Sequence, residues 1–345
     1  MMNNSPHVEA ALAAVDEDYY TLLPDGRLVT QSTVATAIAG MLGQLDVRPG
    51  MRVLEIGTGS GFSGALLSEL VGSAGSVVSM DVVASLSERA RDLHKGQGRT
   101  NVELVTGDGA AGAPDRGPFD RIVAWATPSL VPESWVAQAS AGAVIVAPVE
   151  VTPWVKTSAI LRAHLDAEGR LRGDELSSGR YVEMHDEVLD QWLVPPRGVD
   201  ALFRASDDQA WWISAAWARK DVEGAVEVLR GFSERKLSRL RVLAEGESAE
   251  DLRACLYATR ADEISVVGMG DSGGTLGYAD ATGFAVFAPG ATGDVVHGGA
   301  VTAVERVGAW VDAWRQAGRP GYGSLRPVLK RVEGGWRVRA ELAGG

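Results

Sequence analysis

From Glu55 to Gly61 the chain reads Glu-Ile-Gly-Thr-Gly-Ser-Gly, a carboxylate followed by glycine at every second position. Residues 53–56 before it form a short aliphatic run, as a buried parallel strand should. Residues 62–71 after it resume with helical periodicity. A strand, a glycine turn and a helix in that order make a nucleotide-type site. The glycines let a ligand approach the backbone, and the helix start offers free N–H groups. Two cofactors fit. Gly59, Gly61 and Gly64 satisfy the dinucleotide spacing G-x-G-x-x-G, which keeps an NAD(P)-dependent oxidoreductase open. The longer string E-x-G-x-G-x-G suits S-adenosylmethionine, because Glu55 would repel a pyrophosphate but attract an ammonium and a sulfonium.

The residues downstream favour methyl transfer. Residues 76–80 read as a second strand ending at Asp81, where a βαβ unit holds a carboxylate against a ribose diol. Residues 101–106 read as a third strand running into Gly107-Asp108-Gly109, whose acid can accept from an adenine amino group. Residues 119–124 and 142–149 supply a fourth and a fifth strand. The expected cofactor set is Glu55, Gly57, Thr58, Gly59, Ser60, Gly61, Asp81, Val82, Gly107, Asp108 and Gly109. Each has a plainer alternative, and for Asp108 it is the stabilisation of a turn.

The elements that carry these residues belong to a chain of 345 residues, 46% apolar and 23% charged. That composition excludes disorder or a fibrous repeat for the whole, and the length suits two domains. No uninterrupted apolar run is long enough for a membrane helix, and MMNNSPHVEA lacks the pattern of a secretion signal. The single cysteine, Cys255, can form no intrachain disulfide and no cysteine-based zinc site. A reducing cytoplasm and no metal are expected. A net charge of -12 disfavours nucleic acid except at a local patch such as residues 230–241, RGFSERKLSRLR, whose spacing reads as a solvated helix face.

Three strings carry a resemblance: VLEIGTGSGFSGALLSEL, NVELVTGDGAAG, and PFDRIVAWATPSLVPESWVAQASAGAVIVAPV. Together they resemble the protein-L-isoaspartate O-methyltransferase family over about residues 20–190. The resemblance implies an α/β fold, a Rossmann-like class I S-adenosylmethionine-dependent methyltransferase. It also implies a peptide or protein substrate bearing an aspartyl or isoaspartyl carboxylate. The family's catalytic hydroxyl falls on Thr30, with Gln31 and Ser32 beside the acceptor. Ser32 stands where the family has proline, and Thr33 where it has histidine or an aromatic residue. Tyr181 and Val182 match a late strand that flanks the peptide, without the family's Pro-Leu ending. A carboxylate is already nucleophilic at neutral pH, so the chemistry needs positioning rather than a strong base. Thr30, Ser32 or Thr33 could alternatively cap the helix expected over residues 34–45.

Residues 1–195 are expected to form the methyltransferase domain, and 196–345 a C-terminal α+β domain. In the latter, Trp211, Trp212 and Trp217 fall in an expected strand, residues 275–288 in a hairpin, residues 301–317 in a helix, and Gly334-Gly335 at a second hairpin turn. Extended relatives beside clusters for ribosomally made peptides (lanthipeptides, lasso peptides, graspetides) convert an ordinary aspartate to an aspartimide. The long tail and the altered 30–33 string favour that role over general repair. The string Gly270-Asp271-Ser272-Gly273-Gly274 also spells a serine-protease nucleophile, but no histidine has a matching context, so Ser272 is read as part of a glycine loop.

Overall fold

The computed structural model describes residues 5–188, 195–270, 273–288 and 293–344. The amino-terminal unit runs α1 (Pro6–Ala14), α2 (Glu17–Thr21), α3 (Ala35–Leu45), β1 (Arg52–Ile56), α4 (Phe62–Val71), β2 (Ser76–Asp81), α5 (Ala84–Gly96), β3 (Val102–Thr106) and β4 (Phe119–Ala124). It continues through β5 (Val131–Pro132), α6 (Glu133–Ala137), β6 (Ala139–Glu150), β7 (Ser158–Leu165) and β8 (Leu171–Ser177). Among the described residues one sheet has the order β3-β2-β1-β4-β6-β7-β8. The first five strands are parallel, and β7 and β8 add antiparallel neighbours. Strand order reverses between β1 and β4, so the crevice for a ligand opens at their carboxyl ends.

Local sequence explains these elements. The strand β1 is buried on both faces after Arg52, which is why it reads as an unbroken aliphatic run apart from Glu55. Helix α4 is buried along nearly its whole length and starts from Gly61 in the left-handed region, φ +87°. Helix α3 starts at Val34 with no side-chain cap, so Thr30, Ser32 and Thr33 are all released from that structural duty. Residues 1–20 read in the sequence as one short helix, but two form, broken at Val15 and capped anew by Asp16.

A second unit comprises β9 (Ala201–Arg204), β10 (Ala210–Ser214), α7 (Ala216–Lys220), α8 (Val222–Ser233), β11 (Ser238–Arg241), α9 (Ala249–Thr259), β12 (Ser265–Met269), β13 (Thr275–Ala279), β14 (Gly283–Phe287), β15 (Asp294–Gly299) and α10 (Thr302–Gln316). Its strands make an antiparallel sheet, β11-β15-β14-β13-β12-β10-β9. The hairpin over residues 275–288 and the helix near 301–317 form as the sequence implies. Two expectations need correction. Trp217 lies in α7, not in the strand with Trp211 and Trp212. The basic run splits, with α8 ending at Ser233 and residues 238–241 forming an exposed edge strand.

The last hairpin, β16 (Leu325–Val332) and β17 (Gly335–Leu342), returns to the amino-terminal unit and pairs Trp336 with Val131. Gly335 is required there, since a Cβ would stand 2.1 Å from the Val131 carbonyl oxygen. One core runs through both units, joining Ile56, Ile122 and Leu161 to Leu252, Tyr257, Trp310 and Val338. A separate core lies under α1, α3 and α4 on the other face of the first sheet.

Candidate active site

The loop after β1 turns through Gly57, Gly59 and Gly61, all at positive φ. Backbone contacts hold it in place. The Gly57 N–H donates to the Met80 carbonyl at 2.7 Å, and the Gly59 N–H donates to Asp81 Oδ2 at 3.0 Å. Asp81 Oδ1 accepts from the Val83 N–H at 3.0 Å, so this carboxylate ties the end of β2 to the glycine loop. The Thr58 and Ser79 hydroxyls meet at 2.8 Å beneath.

Glu55 is fully buried, with its side chain on the face of β1 that meets Ser79 and α4. Trp125 Nε1 donates to Glu55 Oε1 at 2.9 Å, while Oε2 has no hydrogen-bond partner among the described residues. Burial pushes this carboxyl up, and the neighbouring Ser63, Ser79 and Trp125 pull the other way. Trp125 directly follows β4, and its ring lies 6.3 Å from the Tyr181 ring, tilted by 43°. The segment carrying Tyr181 and Val182 is not a strand of the sheet. It is sewn to the loop after β4: the Thr127 N–H donates to the Val182 carbonyl at 2.7 Å, and the Met184 N–H donates to the Thr127 carbonyl at 2.9 Å. Burial pushes the Tyr181 hydroxyl up to about 12, and it has no hydrogen-bond partner among the described residues.

A cavity of about 860 Å³ opens over these loops, within the range of small-molecule sites. Its walls include Thr30, Gln31 and Ser32 on one side, and Tyr181 and Val182 on another. Its floor includes Gly57, Thr58, Gly59 and Ser60, with Asp81, Val82 and Gly109 at the end of the crevice. Four residues expected at the cofactor, Glu55, Gly61, Gly107 and Asp108, are not among the residues lining the cavity. Glu55 lies beneath the loop; Gly61 starts α4, where a Cβ would stand 3.0 Å from the Ala90 Cβ. Gly107 donates its N–H to the Asp81 carbonyl, and Asp108 Oδ1 accepts from the Ala110 N–H at 2.9 Å, closing its own turn. Gly109 must be glycine, because a Cβ would stand 2.4 Å from Ile56 Cγ2.

Thr30 and Gln31 are exposed, whereas the Ser32 hydroxyl is buried without a partner. The Gln31 carbonyl crosses the glycine loop so closely that a Cβ on Gly59 would stand 2.5 Å from it. Sequence reasoning missed Trp125, Met80 and Arg180, which also line the cavity. Trp125 carried a usable signal, since it follows directly on a parallel strand. Residues 271–272, and with them Ser272, lie outside the described residues. Among the described residues no group of three or more histidine, cysteine, aspartate or glutamate side chains could hold a metal ion. No helix among them is long and apolar enough to cross a membrane.

A largely parallel sheet with a glycine loop after its first strand, an acid closing its second and a Gly-Asp-Gly turn after its third defines a Rossmann-like methyltransferase dependent on S-adenosylmethionine. The residues fit such a cofactor, since the loop presents backbone without side chains at Gly57 and Gly59 to the cavity, beside Asp81. Residues 3–189, more than half of the chain, match the family described as protein-L-isoaspartate(D-aspartate) O-methyltransferase. The chain belongs to that family. A protein-L-isoaspartate O-methyltransferase from Ignicoccus hospitalis is 40% identical over 116 residues, covering 34% of this chain and 55% of that protein. Protein-L-isoaspartate O-methyltransferase 2 from Archaeoglobus fulgidus is 34% identical over 151 residues, covering 44% of this chain and 67% of the relative. A solved structure named protein-L-isoaspartate O-methyltransferase superposes over 99% of this chain and 96% of its own, with 18% identity and a TM-score of 0.51. That fold likeness takes in the carboxy-terminal unit as well.

Proposed function

We propose that this chain transfers a methyl group from S-adenosylmethionine to an aspartyl or isoaspartyl carboxylate of a peptide or protein. The observation that carries this reading is the crossing of the 30–32 segment over the glycine loop, which puts acceptor-side hydroxyls and cofactor-side backbone in one cavity. When bound, the cofactor supplies an electrophilic methyl carbon on sulfur. Gly57, Gly59, Ser60 and Asp81 hold and orient it, while Glu55 fixes Trp125 from below. Thr30 orients the acceptor carboxylate by donating a hydrogen bond, with Gln31 and Ser32 alongside. Tyr181 and Val182 exclude water on the far side. No side chain need take a proton from an ionised carboxylate. The product is a methyl ester, whose methanol departs when the next backbone nitrogen closes a succinimide.

Two kinds of acceptor fit. An isoaspartyl carboxylate, the acceptor in general repair, is the one in the relatives' names. Tailoring of an ordinary aspartate in a ribosomally made peptide, giving an aspartimide, is favoured by Ser32 and Thr33 at positions where the family has proline and histidine or an aromatic residue. The length beyond residue 195 no longer separates the two, because a fold likeness to a structure with the repair enzyme's name extends over the same region. In this reading residues 1–195 carry the cofactor and 196–345 form an accessory unit. The lone cysteine, the buried Cys255, can form no intrachain disulfide, in keeping with a reducing cytoplasm. The test is transfer of labelled methyl to an isoaspartyl peptide and to its ordinary-aspartyl counterpart. Turnover of the first alone means repair, methylation of the second with loss of methanol means tailoring, and no transfer to either sinks the reading.

A further inference from the structure

Behind the wall formed by residues 178–180 lies a second, smaller cavity of about 110 Å³. Three cationic side chains reach it, Lys156, Arg180 and Arg253. Two of them are already paired: Lys156 Nζ lies 3.3 Å from Glu183, and Arg253 bonds to Glu250. The other Glu250 oxygen accepts from the Ser178 hydroxyl at 3.0 Å. Arg180, exposed overall, has no ion pair or hydrogen bond among the described residues and shares the field of Glu250 with Arg253.

Two further observations point to a ligand. Tyr257 lines this cavity at 1% exposure, and its hydroxyl has no partner among the described residues. The Thr275 hydroxyl lines it too, buried and equally unpartnered. An orphaned buried donor costs about 1–3 kcal/mol, so a built cavity holding two of them beside the Arg180 guanidinium is a place for an acceptor. The rest of the lining is apolar, Val266, Leu276 and Phe287 among it. The volume holds about three waters, or the end of one acidic side chain. An apolar sleeve with a cationic, hydroxyl-bearing end suits a group with methylenes and a carboxylate better than a bare inorganic anion.

We propose that this cavity is a specificity subsite for the substrate, taking the side-chain carboxylate of a glutamate in the peptide that presents its aspartyl group to the main cavity. Arg180 lines both cavities and is the connection between them. The inference rests on the peptide reading given above, and makes acidic sequence context the determinant of which peptides are methylated.

The experiment measures equilibrium binding of fluorescent isoaspartyl and aspartyl peptides carrying one glutamate, walked through the neighbouring positions, against peptides with glutamine instead. Binding is measured with S-adenosylhomocysteine present, and methyl transfer is followed in parallel. In the unaltered protein one glutamate position is expected to bind about tenfold tighter than its glutamine partner, in keeping with a charge-assisted hydrogen bond. That preference should fall to within about twofold in Arg180→Gln and shrink in Tyr257→Phe. The second variant keeps the ring and the packing, and melting curves check that both fold. Sulfate should compete with the glutamate peptide and not with the glutamine one. Equal binding at every position, or a preference that survives both variants, overturns the subsite. Sulfate protection without any glutamate preference overturns the peptide occupant in favour of a free anion. A preference that vanishes in the variants while no peptide is methylated leaves the subsite standing and removes the methyl-transfer reading instead. Failure of all the peptides to bind overturns both.

Discussion

Gly59 carries two constraints at once, a φ of +52° and the Gln31 carbonyl where its Cβ would be. Gly59→Ala is therefore expected to cost about 1–2 kcal/mol of stability and to lower methyl transfer far more, by about a hundredfold, because the 30–32 segment must lift off the loop. Denaturant melts and labelled transfer on the same preparation separate the two effects. Thr30→Ala should lower turnover about tenfold with cofactor affinity unchanged, and Thr30→Ser should restore most of it. A fall in cofactor affinity instead would move Thr30 to the other half of the site. Glu55→Gln keeps an acceptor for Trp125 and should bind cofactor within about tenfold of normal, whereas Glu55→Ala leaves the indole N–H unpaired over a cavity and should lose about 2–4 kcal/mol. Calorimetric titration with S-adenosylhomocysteine decides. The glycines were legible in the sequence because their need is local, a turn the chain must make there. The partner of Glu55 was not, since a buried strand end says that a carboxylate needs a donor but not that Trp125 supplies it.

Among the elements, α4 passes Glu55 of β1 and His94 of α5 at Gly64. A Cβ on Gly64 would stand 3.0 Å from Glu55 Oε2 and 3.3 Å from His94 Nε2, both of them without hydrogen-bond partners. Burial, reinforced by Arg99, lowers His94 to about 4. The neutral ring is thus the folded form, and the unfolded chain takes up a proton first. Stability is complete above the unfolded value of 6.5 and falls as pH drops from there toward 4, by about 3 kcal/mol in all. His94→Gln should flatten that slope in melting curves taken between those limits. Glu150 acts in the opposite direction. Burial and Glu183 push its carboxyl up to about 7, against Lys156 and Arg337, so stability is lost as pH rises from 4.5 through 7. Glu150→Gln should gain most at alkaline pH. The strands and the helices α4 and α10 were readable because their apolar spacing is regular. The 181–184 segment reads like a strand, yet it pairs only with Thr127 across a bridge, and a partner 55 residues away leaves no local trace. The basic run misled for a related reason: spacing over residues 230–241 is helical, but edge pairing of Ser238–Arg241 with β15 wins.

For the molecule as a whole, the joined core makes the two units depend on each other. A fragment ending at residue 195 would expose Val131, Trp135, Leu161 and Leu176 where Val338, Ala340, Leu252 and Tyr257 now share one cluster with them. Such a fragment is expected to bind an apolar dye and to melt without a sharp transition, even though it carries the whole glycine loop. A cooperative melt would mean the first unit stands alone. Glu247 clamps the same region, accepting from Arg315 at 2.7 Å and Arg319 at 3.1 Å, which hold its carboxyl down at about 2. The order of the two sheets was legible in outline, as parallel strands followed by antiparallel hairpins. The return of the final hairpin to β5 was not, because nothing near residues 335 and 336 names a partner some two hundred positions earlier. That return has a consequence for how the protein comes into being. During synthesis the strand pair at Val131 and Trp336 cannot close until the ribosome has made almost everything in between, so the edge next to the catalytic half waits uncovered while the second sheet is translated. Nascent chains stalled between those points should be the ones that chaperones hold longest.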